Sequence, residues 1–193
     1  MRRDRGFTLI ELLVVVAIVG VILTIAAPSF TRIIEMKRLR GVHAQVVTDM
    51  QFARSEAVSR NTLLRVVFGS NAAMTCYTMY TSSTGATRCD CTLATPVLRC
   101  PPPMVEVRTV QAPTSLGVMI STPANQRVAF AYDNVTAGLA TIPIDNFNVP
   151  LPQFVIETSL DTSRQIDTVL NQAGRPTVCS PVGSTTGDAP CAP

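Results

Sequence analysis

Two patterns of apolar and polar positions divide the chain. Residues 12–31 are twenty positions without a charged side chain, preceded by a lone carboxylate at Glu11. Coiled as a helix at ~1.5 Å per residue, such a run spans ~30 Å, the thickness of a bilayer's hydrocarbon core. Beyond it the apolar residues become periodic. Val42, Val46, Met50, Ala53 and Ala57 recur at helical steps and make one stripe, while Arg40, Gln45, Asp49, Arg54 and Glu56 take the opposite face. The pattern predicts a single helix over residues 7–61, ~80 Å long. Its first half (7–28) needs lipid or neighbouring chains around it, and its amphipathic second half (29–61) needs a sheet under its stripe. Gly20 and Pro28 are the weak points, because Gly lowers helix propensity and Pro removes a backbone donor.

After Asn61 the period changes. Residues 63–68, 76–80, 104–110, 126–132, 154–158 and 165–170 are short, rich in β-branched or aromatic side chains, and bounded by Gly, Pro, Ser or Asn. Six or more short strands after one long helix predict an α+β fold, the helix packed on an antiparallel β-sheet domain over residues 62–193. Between the strands, residues 81–103 read as irregular, and 180–193 read as a low-complexity tail.

Glu11 carries the most chemical information. A charge at the edge of a hydrocarbon-length span is costly unless paired, which makes it a functional candidate. An ordinary secretory signal is cut after its apolar core, at small residues. Here Ala26-Ala27 supplies the small residues of such a site, but Pro28 and the early Glu11 fit it poorly. Cleavage before the core would instead free an amino group on Phe7, four residues from Glu11 and able to meet it within one helix or between neighbouring chains.

Gly6-Phe7-Thr8-Leu9-Ile10-Glu11-Leu12-Leu13-Val14-Val15 resembles the processing motif of type IV pilins and type II secretion pseudopilins. The resemblance implies a prepilin peptidase that cuts between Gly6 and Phe7, discards residues 1–6 and methylates the new Phe7 terminus. It also implies that Glu11 of an incoming subunit captures the terminal ammonium of a subunit already in the filament, and that the stretch around Gly20 and Pro28 loosens as subunits leave the bilayer. A second resemblance narrows the class. Residues 52–62, Phe52-Ala53-Arg54-Ser55-Glu56-Ala57-Val58-Ser59-Arg60-Asn61-Thr62, are similar to the segment closing the long helix in the GspH/FimT branch of minor pilins. The run Ile166-Asp167-Thr168-Val169-Leu170-Asn171 into Ala173-Gly174-Arg175 is similar to that branch's C-terminal feature. Expected partners are the peptidase, other pilin or pseudopilin subunits and inner-membrane lipid. The expected role is a minor type IV pilin that takes part in, and primes, pilus assembly, with an H-type minor pseudopilin of a type II secretion system and a DNA-binding pilin of natural transformation as the alternatives.

Composition adds the compartment. The charge balance after loss of residues 1–6 is 13 basic to 12 acidic side chains, which gives no general affinity for polyanions. Arg2, Arg3 and Arg5 precede the uncharged run while Arg32, Lys37, Arg38 and Arg40 follow it, so the positive-inside count is indecisive. Cys76, Cys89, Cys91, Cys100, Cys179 and Cys191 all follow the run, in a region rich in Pro and Gly. That is disulfide usage and places the C-terminal domain in the oxidising periplasm, before export to a pilus or a periplasmic pseudopilus. Six cysteines admit fifteen pairings. Cys179 with Cys191 would tie down the tail, leaving the other four to staple the region 76–100. The spacing of Cys89, Cys91 and Cys100 is not that of common zinc sites, and no metal or other cofactor is expected.

Enzyme chemistry has little support. His43 is the single histidine and is expected at a solvated helix position, and there is no Gly-rich phosphate loop or nucleophile motif. Some members of the FimT branch bind DNA through a Gly-Arg-x-Arg motif. Here the matching place reads Gly174-Arg175-Pro176-Thr177, with the second arginine replaced. Duplex binding needs several phosphate contacts, so the DNA reading depends on whether Arg164, Arg127 or Arg108 folds beside Arg175.

Overall fold

A computed structural model describes residues 8–82, 88–124, 126, 128–140 and 152–191, apart from the side chains of 25–29. The chain is α+β: one long helix, α1 (Leu9–Ser59), followed by antiparallel sheets. It divides into two compact units, Met1–Lys37 and Arg38–Pro193. In the first unit α1 presents Leu, Ile and Val side chains to the outside along its described length.

The ends of α1 follow from local chemistry. Thr8 caps the start, accepting the Glu11 N–H on Oγ1 at 3.3 Å, and Glu11 sits in the first turn, where a negative charge complements the helix dipole. At the other end Asn61 adopts φ 51°, its N–H bonds the Val58 carbonyl, and the Thr62 N–H bonds the Ala57 carbonyl. This paired closure is a Schellman motif, with Asn in the left-handed position.

Within the second unit, residues 38–59 of α1 lay the expected stripe on a sheet. Val46, Met50, Ala53 and Ala57 are fully buried and Val42 packs beside them. The sheet has five strands: β1 (Leu64–Ser70), β2 (Met74–Thr81), β3 (Val105–Pro113), β5 (Ala129–Tyr132) and β6 (Leu139–Ala140), in the order β3-β2-β1-β5-β6. Alternation sorts its side chains. Leu64, Val66, Phe68, Tyr77, Met79, Phe130 and Tyr132 face the helix, whereas Val67, Tyr80, Ala129 and Ala131 join Cys89, Cys100 and Met104 in a second cluster. The five-stranded sheet is thus buried on both faces, by α1 on one side and by a cystine-rich segment with its short helix α2 (Pro96–Arg99) on the other.

A second, four-stranded sheet runs β4-β7-β8-β9, formed by β4 (Met119–Ser121), β7 (Gln153–Asp161), β8 (Arg164–Asn171) and β9 (Pro176–Cys179). Phe154, Ile156 and Leu170 carry it into the helix-side core, where Phe154 meets Phe130 at a ring-centroid distance of 4.5 Å and Phe68 at 5.9 Å. Three of these strands were not expected from the pattern. β4 and β6 are too short to show a period, and β9 opens on Pro176, which is tolerated on a sheet edge.

Two helix residues depart from expectation. Asp49, predicted on the polar face, is 1% exposed. It accepts a hydrogen bond from the Tyr77 hydroxyl at 2.6 Å and pairs with Arg108 at 2.9 Å. Arg108 pairs with the helix-facing Met79 and so lies on the same side of the sheet, while a bulge in β3 follows, since the next residue of β2, Tyr80, pairs Glu106. Burial and the Asp49 carboxylate together push the Tyr77 hydroxyl well above its ordinary pKa. His43, expected in solvent, is buried at 6% exposure. Burial lowers its pKa, and Asp188 opposes that shift. The cover comes from the C-terminal segment. Rather than a loose tail, residues 180–191 form a packed loop: Arg40 donates to the Thr186 carbonyl at 2.9 Å, Ser184 to the Gln165 carbonyl at 2.7 Å, and the Thr185 N–H to the Ser163 carbonyl at 2.8 Å.

Candidate functional site

The N-terminal site is built on the opening turn of α1. Gly6 and Phe7 lie outside the described residues. Glu11 is exposed in the first turn, and no described cation pairs with its carboxylate. Thr8, which sequence reasoning overlooked, holds the turn that presents it. The Thr-x-x-Glu spacing of a capping box was the available signal. Following Glu11, Leu12, Leu13, Val14, Val16, Ile18, Val21, Ile22 and Leu23 are all more than half exposed. An apolar surface of that extent calls for another apolar environment. At Gly20 an added Cβ would meet nothing within 4 Å, so this chain's own packing does not require glycine there. Pro28 sits inside α1, whose backbone continues helical through it. Among the described residues no helix is long and apolar enough to cross a membrane. The described apolar side chains, 9–24, supply only about 24 Å of helix.

The cysteines form three disulfides: Cys76–Cys91, Cys89–Cys100 and Cys179–Cys191. The first two interlock, holding residues 89–100 over β2. Arg99 reinforces them with two bonds to the Glu106 carboxylate at 3.0 and 2.9 Å, and Gln111 donates to the Cys91 carbonyl at 2.7 Å. The third bridge closes the C-terminal loop. No group of metal-ligating residues occurs among the described residues.

Arg175 is exposed in the turn between β8 and β9. Arg164 does not join it. The two occupy opposite ends of β8, about 23 Å apart along the strand. Arg164 is instead bound to Asp161 at 2.6 and 2.8 Å, and with Ser163 it holds that carboxyl down at about 2. Arg108 is committed to Asp49, and Arg127 lies outside the described residues. Neither Arg164 nor Arg108 is therefore available to join Arg175 in a phosphate-binding cluster.

What the Ala173-Gly174-Arg175 run does build is a junction. The Arg54 Nε donates to the Ala137 carbonyl at 3.0 Å and lies 3.3 Å from the Ala173 carbonyl, and the Leu139 N–H bonds the Gln172 carbonyl at 2.9 Å. The helix-end segment and the C-terminal run, both singled out in the sequence, meet here. Gly174 has φ 70°, and a Cβ on it would fall 2.5 Å from the Ala137 oxygen and 2.9 Å from the Tyr132 ring. Both the backbone and the space require glycine. Gly174→Ala is expected to cost about 2–4 kcal/mol, whereas Arg175→Ala should stay within about 0.5 kcal/mol. Denaturant unfolding of the two variants checks this, and equal stabilities would remove the junction's structural role.

Residues 1–27 match a family model described as the prokaryotic N-terminal methylation motif. Residues 44–174, more than half of the chain, match a family model described as type II transport protein GspH. No curated protein and no solved structure matches the chain.

Proposed function

The chain belongs to the type II transport protein GspH family and carries the N-terminal methylation motif, and on that premise we propose that it is a minor type IV pilin that primes pilus assembly. It is a structural subunit, not an enzyme. A prepilin peptidase removes residues 1–6 and methylates Phe7. The mature subunit waits as a single-pass protein of the inner membrane, with its disulfide-bonded domain in the periplasm. It then enters the filament by exchanging lipid around residues 7–28 for the helices of other subunits.

The observation that carries this reading is an exposed apolar helix with a carboxylate at its first turn that has no counter-charge among the described residues. An apolar surface needs a cover, and a charge beside it needs a counter-charge once water is excluded. A second copy of the same helix start supplies both, since its Phe7 ammonium would sit beside its own apolar run. Three disulfides agree with a periplasmic domain.

A second reading is favoured by the description of the matched family: an H-type minor pseudopilin of a type II secretion system. Both readings use the same processing and the same helix. Mass spectrometry of the protein from its host tests what they share, and the expected mature chain begins at N-methylated Phe7. An intact Met1, or a start at Ser29, would contradict both. Gene neighbourhood then separates them, by placing the chain beside pilus genes or beside secretion genes.

A further inference from the structure

We propose that Arg32, Lys37 and Arg38 form a cationic collar that binds the phosphate headgroups of anionic lipids where α1 leaves the bilayer. This rests on the single-pass reading above. Arg32 is the first charge after the uncharged run 12–31, and α1 is continuous from Leu9 to Ser59. Helical pitch sets Lys37 about 140° and Arg38 about 240° around the axis from Arg32, within ~9 Å of rise. The three cations therefore point to all sides of the rod instead of making a stripe. A stripe suits one protein partner, whereas a ring suits a helix surrounded by lipid.

Their height agrees. Headgroups extend ~5–7 Å beyond the hydrocarbon on each side, and long Lys and Arg stems reach across the rest. All three residues are exposed, and none has an ion-pair or hydrogen-bond partner among the described residues. Arg40 is different, because its guanidinium is bound to the Thr186 carbonyl. Glu35 is the one acid between residues 32 and 40, so the collar keeps a positive excess. A cation near an anionic membrane gains roughly fivefold in affinity. Three of them would give a subunit a strong preference for an anionic leaflet.

The test uses the full chain and the triple variant Arg32→Gln/Lys37→Gln/Arg38→Gln. Each is diluted from detergent onto vesicles of phosphatidylcholine, alone or with phosphatidylglycerol added. Carbonate-resistant co-flotation reads insertion, and the vesicle amount at half-association reads preference. The wild type should insert into both and prefer the anionic vesicles by on the order of tenfold at low salt, with the preference shrinking as salt rises. The variant should insert equally well and lose several-fold of that preference, keeping the share held by Arg2, Arg3 and Arg5. A variant whose preference is unchanged overturns the collar, and so does a wild type without preference. Association with neither vesicle overturns the single-pass reading itself, and the collar with it.

Discussion

Replacing Cys76, Cys89, Cys91 and Cys100 together by Ser should destabilise the Arg38–Pro193 unit by on the order of 5 kcal/mol. The two bridges close loops with sequence separations of 15 and 11. Each loop of that size is worth about 3 kcal/mol through restriction of the unfolded chain. The loops overlap at residues 89–91, so the second closure constrains chain already partly constrained, and the sum falls short of additive. A domain of this size is stable by only about 5–15 kcal/mol, so the loss is a large fraction of the whole. It also has a structural signature. The freed segment would uncover Val67, Tyr80, Ala129 and Ala131 on the outer face of the five-stranded sheet. Unfolding can be followed by tyrosine fluorescence, because the chain has no Trp and all three Tyr are fully buried. The expected result is a lower denaturant midpoint with new binding of a hydrophobic dye before unfolding. Cys179→Ser/Cys191→Ser should cost about 3 kcal/mol without dye binding, because its loop has hydrogen bonds of its own to Ser163 and Gln165. Midpoints that do not move would show that the bridges only decorate a fold already complete.

The order of one long helix followed by antiparallel strands was legible because each kind of element shows its own period. The stripe from Val42 to Ala57 is what a helix on a sheet must show, and the core residues Val46, Met50, Ala53 and Ala57 follow from it directly. The long β strands were readable for the same reason. What could not be read was anything that depends on where distant segments meet. Asp49 lies on the polar side of the stripe, yet β2 and β3 wrap far enough to bury it against Tyr77, and no local pattern records that. His43 is covered by a loop more than a hundred residues away in sequence. The run around Gly174 shows the same limit from the other side. Its residues were singled out for a charge, Arg175, but the geometry constrains Gly174, and the partner that gives the run its place is Arg54 on the helix. A glycine needed for close approach looks in sequence like any turn glycine.

Glu11→Ala is expected to leave membrane insertion unchanged and to lower incorporation into filaments by at least a hundredfold. Two roles compete for this carboxylate. In the isolated chain it is an acid in the first turn of α1, beside the Thr8 cap, and that role is worth at most about 1 kcal/mol. In a filament, with water excluded by packed helices, it would meet a neighbour's terminal ammonium. Removing one partner of such a desolvated pair costs about 3–5 kcal/mol, because the other charge is left uncompensated. The two roles are separable by Thr8→Ala, which weakens the helix start by about 1 kcal/mol and leaves the charge in place. If Glu11 acts only on its own helix, Thr8→Ala and Glu11→Ala should impair assembly alike. If it acts between subunits, Thr8→Ala should be nearly silent and Glu11→Gln should be as defective as Glu11→Ala, since the amide keeps the shape and loses the charge. Quantifying each variant in sheared filaments against its membrane pool gives the comparison. Incorporation of Glu11→Gln at wild-type levels would break the intersubunit pairing, whatever becomes of the outer domain.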